Sequence, residues 1–315
     1  MAMGARTRPP GLPSEAAILG RAAGENFTVA SRLLPATPRR HLLAFYGWAR
    51  LVDQLGDHYD GDRLAALDWA EAELRAGLTD PSEPGLHPLV AAAAASGREL
   101  GLDAVPFVEL IEANRMDQRV TRYATWDDLV GYCRLSANPV GHLVLAAFGA
   151  DTGDNRRLAD RICTGLQVVE HLQDVGEDAA AGRVYLPVED LVRFDVDPDG
   201  LAALAASGSP APAGLRGVVA FETWRARGLL DDGAALVGRL KGTARVAVAG
   251  FAAGGLAVVD ALAAAGYDPL TGPTRPAPPR VAAHLARLLL PRSGRPAKVS
   301  PASPAAPDPT TGAAA

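Results

Sequence analysis

The apolar spacing of this chain limits its fold more than any other feature. Over 38–58, 62–77, 104–119, 154–178, 214–239 and 242–265, apolar residues recur every three or four positions, the period of a helix and not of a strand. Ala and Leu dominate these stretches, and alternating β-branched runs are scarce, so propensity and period agree. Turn-forming segments separate them: "TDPSEPG" at 79–85, "GSPAPAG" at 208–214 and "TGPTRPAPP" at 271–279. Thr125 and Asp128 have the spacing of a reciprocal cap that opens a helix at "WDDLVGYCRL". These signals predict an all-α fold. They place one helical domain over about 13–290, with residues 1–12 and a Pro/Ala-rich tail at 291–315 disordered.

Charge and cysteine usage narrow the function classes. The net charge of −5 comes with no basic stripe, which predicts no nucleic-acid partner. Cys133 and Cys163 form no CxxC pair, so a disulfide framework or structural zinc site has no support. They are expected as small core residues in a reducing cytoplasm. The N-terminus carries no apolar core of signal-peptide length. The longest uncharged apolar run, Val246 to Val259, is bounded by Arg245 and Asp260, and its 14 residues fall short of a membrane span of roughly 20. It is expected as a buried helix, with Gly250 and Gly254 marking close helix packing.

Two polar stripes interrupt apolar helices. In "HLLAFYGWARLVDQLGD", apolar residues cover nearly the whole circumference, the pattern of a buried helix, yet Tyr46, Arg50, Asp53 and Asp57 fall on one face. In "GLQVVEHLQDVGED", Gln167, Glu170 or His171, Asp174 and Asp178 do the same. Each stripe sets two carboxylates four residues apart, where like charges repel, and buried charges need partners. One such pair alone reads as ordinary surface acids; two pairs, each in a stripe on an apolar helix, favour a bound cation. The donors are oxygens, which suits Mg²⁺ held by a few carboxylates together with substrate phosphates. No GxSxG, HExxH or P-loop is present, and "GFAAGG" at 250–255 is not a dinucleotide fingerprint, so a nicotinamide site has no support.

With those residues in place, the chain resembles the squalene/phytoene synthase family of head-to-head prenyl transferases. "ENFTVASRLLP" at 25–35, "FYGWARLVDQLGD" at 45–57, "YCRLSANPVGHL" at 132–143 and "GLQVVEHLQDVGEDAAAGRVYLP" at 165–187 resemble its segments in order. "NRMDQRVTRY" at 114–123 adds a likeness to the bacterial branch that makes hydroxysqualene for hopanoids. The resemblance implies the isoprenoid synthase fold, a helical bundle around a central cavity. It also implies an isoprenoid diphosphate substrate and Mg²⁺ bound by Asp53, Asp57, Asp174 and Asp178. Arg50, Asn138 and Arg183 become candidate substrate contacts, with structural pairing of Arg50 to Asp53 the alternative. Tyr46 and Tyr132 are candidates to face a carbocation, or else core tyrosines. Gln167 and Glu170 are candidates to place a water, and Glu170 is expected to face the same cavity as Asp174; His171 reads more simply as a core residue. Gln54, Glu170 and Gln173 depart from the usual family residues, and the changes at Glu170 and Gln173 leave ionisation in place and weigh against condensation of two farnesyl diphosphates. The implied neighbours in metabolism are a presqualene diphosphate synthase and a squalene-forming oxidoreductase. The C30 lipids imply peripheral contact with the inner face of a membrane.

Overall fold

Helical spacing becomes helix throughout, with boundaries close to those predicted. The computed structural model describes residues 8–19, 34–272 and 274–290. Residues 1–7, the tail from 291 and all of "ENFTVASRLLP" but its last two residues lie outside the described residues. Among the described residues every regular element is helical, and one isolated parallel bridge joins Arg122 to Val184. Ala36–Asp57, Arg63–Thr79, Val105–Asp117, Gly153–Ala180 and Gly242–Ala264 match their predicted stretches. The predicted 214–239 stretch breaks after Gly233 into Ala213–Gly233 and Ala235–Arg239. The cap before Trp126–Ser136 forms as expected: Thr125 N donates to Asp128 Oδ2 at 3.0 Å, and Asp128 N donates to Thr125 Oγ1 at 3.1 Å.

Contacts divide the chain into two compact units. The first comprises Met1–Val120, Gly131–Cys163 and Leu240–Ala244; the second comprises Thr121–Val130, Thr164–Arg239 and Arg245–Ala315. In the first unit, Ala36–Asp57 packs on Arg63–Thr79, Pro88–Glu99, Val105–Asp117 and Asn138–Ala147. Its buried face carries Phe45, Trp48, Leu51, Val52 and Leu55. Trp48 is fully buried, sets its ring edge-on to Phe107 and donates Nε1–H to the Phe107 carbonyl at 3.2 Å. Its indole therefore buries a large apolar area without orphaning its one donor, and truncation to Ala is worth about 3–5 kcal/mol.

In the second unit, close packing is set by glycines. A Cβ on Gly165 would meet Leu230 Cγ at 3.0 Å, and one on Gly255 would meet Leu166 Cδ2 at 2.6 Å. Among the described residues, Gly250 and Gly254 have nothing within 4 Å of that position, and the tight contact belongs to Gly255. The apolar helix also runs longer than its uncharged core. Gly242–Ala264 has 23 residues and contains an 18-residue window of mean hydropathy 2.0, long and apolar enough to cross a membrane, with 61% of that window buried. Arg245 and Asp260 lie inside it because both are satisfied there. Arg245 donates to the Leu289 carbonyl at 2.9 Å, and Asp260 accepts from Arg227 and from His284 at 2.8 Å.

Candidate active site

The first stripe lies on the open side of its helix. Tyr46, Asp53 and Asp57 are half-buried and Arg50 is exposed, while the opposite face is buried. The sequence suggested a helix buried all round; keeping the carboxylates in reach of water avoids most of the cost of burying charge. Arg50 Nη1 stands 3.4 Å from Asp53 Oδ2, and its guanidinium lies 5.7 Å from the Tyr46 ring centroid. The Asp53 side chain is 47% exposed, so this pair adds little stability. The protein still crowds that carboxyl on its other sides. Burial pushes its pKa up to about 6, with Asp57 and Asp117 acting in the same sense and Arg50 and a hydrogen bond to Asn114 opposing.

Asn114, Asp117 and Gln118 were not singled out for a role from sequence, although they sit in the quoted "NRMDQ". Gly56 makes room for them: a Cβ there would lie 2.0 Å from Asn114 Oδ1. Gln118 Nε2 donates at 3.0 Å to the carbonyls of both Gly56 and Asn114. This seals the end of Val105–Asp117 onto the first-stripe helix and places Asp117, which accepts a hydrogen bond from Tyr132 Oη at 2.8 Å. Tyr132 is 6% exposed, so the phenol is oriented by a carboxylate as well as packed. Asn138 is also buried, as the first residue of Asn138–Ala147. Cys133 is buried, and Cys163 packs so closely that a Cβ on Gly141 would meet its Sγ at 2.7 Å. Burial pushes both thiols up to about 12.

The second stripe belongs to the second unit. Gln167, Asp174 and Asp178 are half-buried and Glu170 is exposed. Burial, followed by the charge of Glu177, raises the pKa of Asp174. Gln173 points elsewhere and donates to the Thr274 carbonyl. His171 is 8% exposed and stacks on Tyr185 at 3.9 Å with 9° between the planes. Burial drives its pKa down to about 3, so the ring is neutral. Its Nε2 lies 3.3 Å from Gln167 Nε2 and its Nδ1 lies 4.0 Å from Asp178 Oδ2. The following turn explains the stack. Gly182 takes a φ of +79°, and Arg183 N donates to the Asp178 carbonyl at 2.8 Å. Val184 N then donates to Thr121 O at 2.8 Å, which sets Tyr185 against His171. The half-buried Arg183 thus follows Asp178 directly around this turn.

Among the described residues, no three His, Cys, Asp or Glu side chains form a ready metal cage. The all-oxygen donor set and the surplus of carboxylates around Asp53 nevertheless fit Mg²⁺, which uses few protein ligands and completes its shell with phosphate and water.

The profile described as squalene/phytoene synthase matches residues 21–290. This chain belongs to the squalene/phytoene synthase family. Within the family, it is 40% identical over 168 residues to a hydroxysqualene synthase of Rhodopseudomonas palustris, covering 52% of this chain and 55% of that protein. A phytoene synthase of Mycobacterium bovis is 33% identical over 196 residues, covering 58% of this chain and 64% of that one. The chain therefore spans less than two thirds of either relative. Among solved structures, the squalene synthase HpnC from Alicyclobacillus acidocaldarius aligns with a TM-score of 0.73 at 40% identity, covering 80% of this chain and 92% of that one. The all-α squalene synthase type of isoprenoid synthase fold is thereby shared.

Proposed function

We propose that this protein converts presqualene diphosphate and water to hydroxysqualene and diphosphate. The observation that carries the reading is the first stripe. Asp53, whose pKa burial lifts to about 6 with Asp57 and Asp117 acting in the same sense, and Arg50 as the cation beside it form a receptor for metal-bound diphosphate. The likeness to hydroxysqualene synthases supports this substrate within the family. Asp53, Asp57, Asp174 and Asp178 would hold Mg²⁺. When bound, Mg²⁺ neutralises diphosphate charge and makes it a leaving group.

The remaining work falls to side chains of this chain. Arg50, Asn138 and Arg183 orient the substrate. The carbon–oxygen bond breaks heterolytically and its electron pair leaves with diphosphate. Tyr46 and Tyr132 turn aromatic faces to the carbocation, and the Asp117 hydrogen bond holds Tyr132 in register. Gln167 and Glu170 place a water whose oxygen forms the new carbon–oxygen bond, and Glu170 accepts its proton. The substrate then comes from an enzyme that condenses two prenyl diphosphates, and the product goes to one that replaces hydroxyl by hydride. The site of action is the cytoplasmic side of a membrane, in peripheral contact; liposome flotation without bound protein would remove that part.

Mass spectrometry of products from presqualene diphosphate, Mg²⁺ and purified protein, without a nicotinamide cofactor, tests the reading. An alcohol of squalene with released diphosphate is expected. The phytoene synthase likeness favours a second reading, head-to-head condensation. Condensation of prenyl diphosphates supplied alone would replace the first reading with the second.

A further inference from the structure

We propose that His171 is a positioning residue that ties Gln167 to Asp178 through its two ring nitrogens; this rests on the reading of the second stripe as a diphosphate site. Residues 167, 171 and 178 fall on one side of Gly153–Ala180, spaced by one turn and then two. Each ring nitrogen addresses a member of the stripe: Nε2 faces Gln167 Nε2 at 3.3 Å, and Nδ1 faces Asp178 Oδ2 at 4.0 Å. With the Gln167 amide nitrogen turned to the ring, one tautomer follows. An amide nitrogen of Gln can only donate, so His171 Nε2 must accept and the ring proton sits on Nδ1. That proton points at the Asp178 carboxylate, at an electrostatic rather than a hydrogen-bonding distance. Gln167, with its amino group turned to His171, presents its carbonyl oxygen the other way, as an acceptor for water.

Stacking alone would not need this arrangement, because a phenylalanine ring would cover Tyr185 equally well. The ring also has no room to turn aside. The free volume bounded by His171, Asp178, Arg183 and Tyr185 is about 10 Å³, close to the least that holds one water. Groups that orient a metal ligand from behind commonly govern affinity by 10- to 100-fold.

Two measurements test the assignment. The first is the tautomer of His171 in the full chain, read from long-range nitrogen–proton NMR of the imidazole and assigned with His171→Phe. Protonation at Nδ1 is expected, perturbed by Asp178→Asn and unmoved by Asp53→Asn. An Nε2-protonated ring would overturn the proposal. The second is binding of Mn²⁺ with inorganic diphosphate, read by electron paramagnetic resonance. His171→Phe should bind about tenfold more weakly with little change in melting temperature. His171→Asn, whose amide nitrogen stands near the Nδ1 position, should restore most of the affinity, and His171→Gln should not. Equal affinities for all three variants would make His171 a packing residue only. If His171→Phe does not fold, the contrast between Asn and Gln still decides. A wild-type protein that binds no Mn²⁺–diphosphate would sink the metal-site reading, and the tautomer would then judge His171 by itself.

Discussion

The two aspartate stripes share one spelling, Asp-x-x-x-Asp, but differ in what supports them. In the first, support is electrostatic and crosses between helices: Arg50 pairs with Asp53, and the end of Val105–Asp117 adds Asn114 and Asp117, the latter bonded to Tyr132. In the second, support is a stacked pair of rings, with His171 on Tyr185 and a glycine turn holding the stack. Spacing within a helix thus decides which side chains share a face, while the neighbouring segment decides how charged that face is. In the first stripe burial, reinforced by the charges of Asp57 and Asp117, pushes Asp53 up to about 6; the second relies on a neutral ring beside its acids.

The largest expected effect breaks both stripes. Asp53→Ala and Asp174→Ala should each lower diphosphate release by about three orders of magnitude, the scale of losing metal-assisted ionisation. Single-turnover assays with labelled presqualene diphosphate measure this, and the metal-free melting temperatures should not fall. A variant with full activity would leave one functional stripe and end the comparison. Next, Glu170→Ala should cut the alcohol fraction about 100-fold while diphosphate release continues, with elimination or rearranged hydrocarbons in its place. Loss of release would move Glu170 into the metal site, and an unchanged product would remove it from catalysis. Tyr132→Phe deletes the donor to Asp117 and should slow turnover about tenfold, the scale of one hydrogen bond to a charged group. An unchanged rate would mean the Asp117 contact is packing only.

The smallest effect sharpens the electrostatic contrast. Asp53 titrates near 6 in the fold against 3.8 ordinarily, so between those values the folded protein binds more protons than the unfolded chain. Stability therefore falls as pH rises through that window, and the loss is complete above about 6. Asp53→Asn should abolish it. Metal-free melts should show the variant level with the wild type near pH 4 and ahead by about a degree or two at pH 7, a modest shift because the side chain is half exposed. A constant gap across pH would refute the account.

Helix positions, the Thr125–Asp128 cap and both stripes were legible in the sequence because each depends on residues at most a few turns apart. What escaped depends on packing between segments. Asp117 gains its place from Gly56 yielding space to Asn114, a contact between residues 58 positions apart that no local period encodes. The half-open setting of Tyr46 and Asp53 escaped as well, because most of the apolar residues that surround them in sequence turn to the other side of the helix. The length of Gly242–Ala264 was legible from its spacing, but not the partners that let Arg245 and Asp260 lie within it, because those partners are distant in sequence.

Gly250 and Gly254 make that same helix adjustable. Glycine inside a helix is less stable than alanine by roughly 0.5–1 kcal/mol, and here an added methyl would meet nothing within 4 Å among the described residues. Gly250→Ala and Gly254→Ala should each raise the melting temperature, by an amount that calorimetry can resolve. Both positions are half-buried, so the pair works as a dial on the helix itself: each carbon added there stiffens the backbone before it touches a described neighbour.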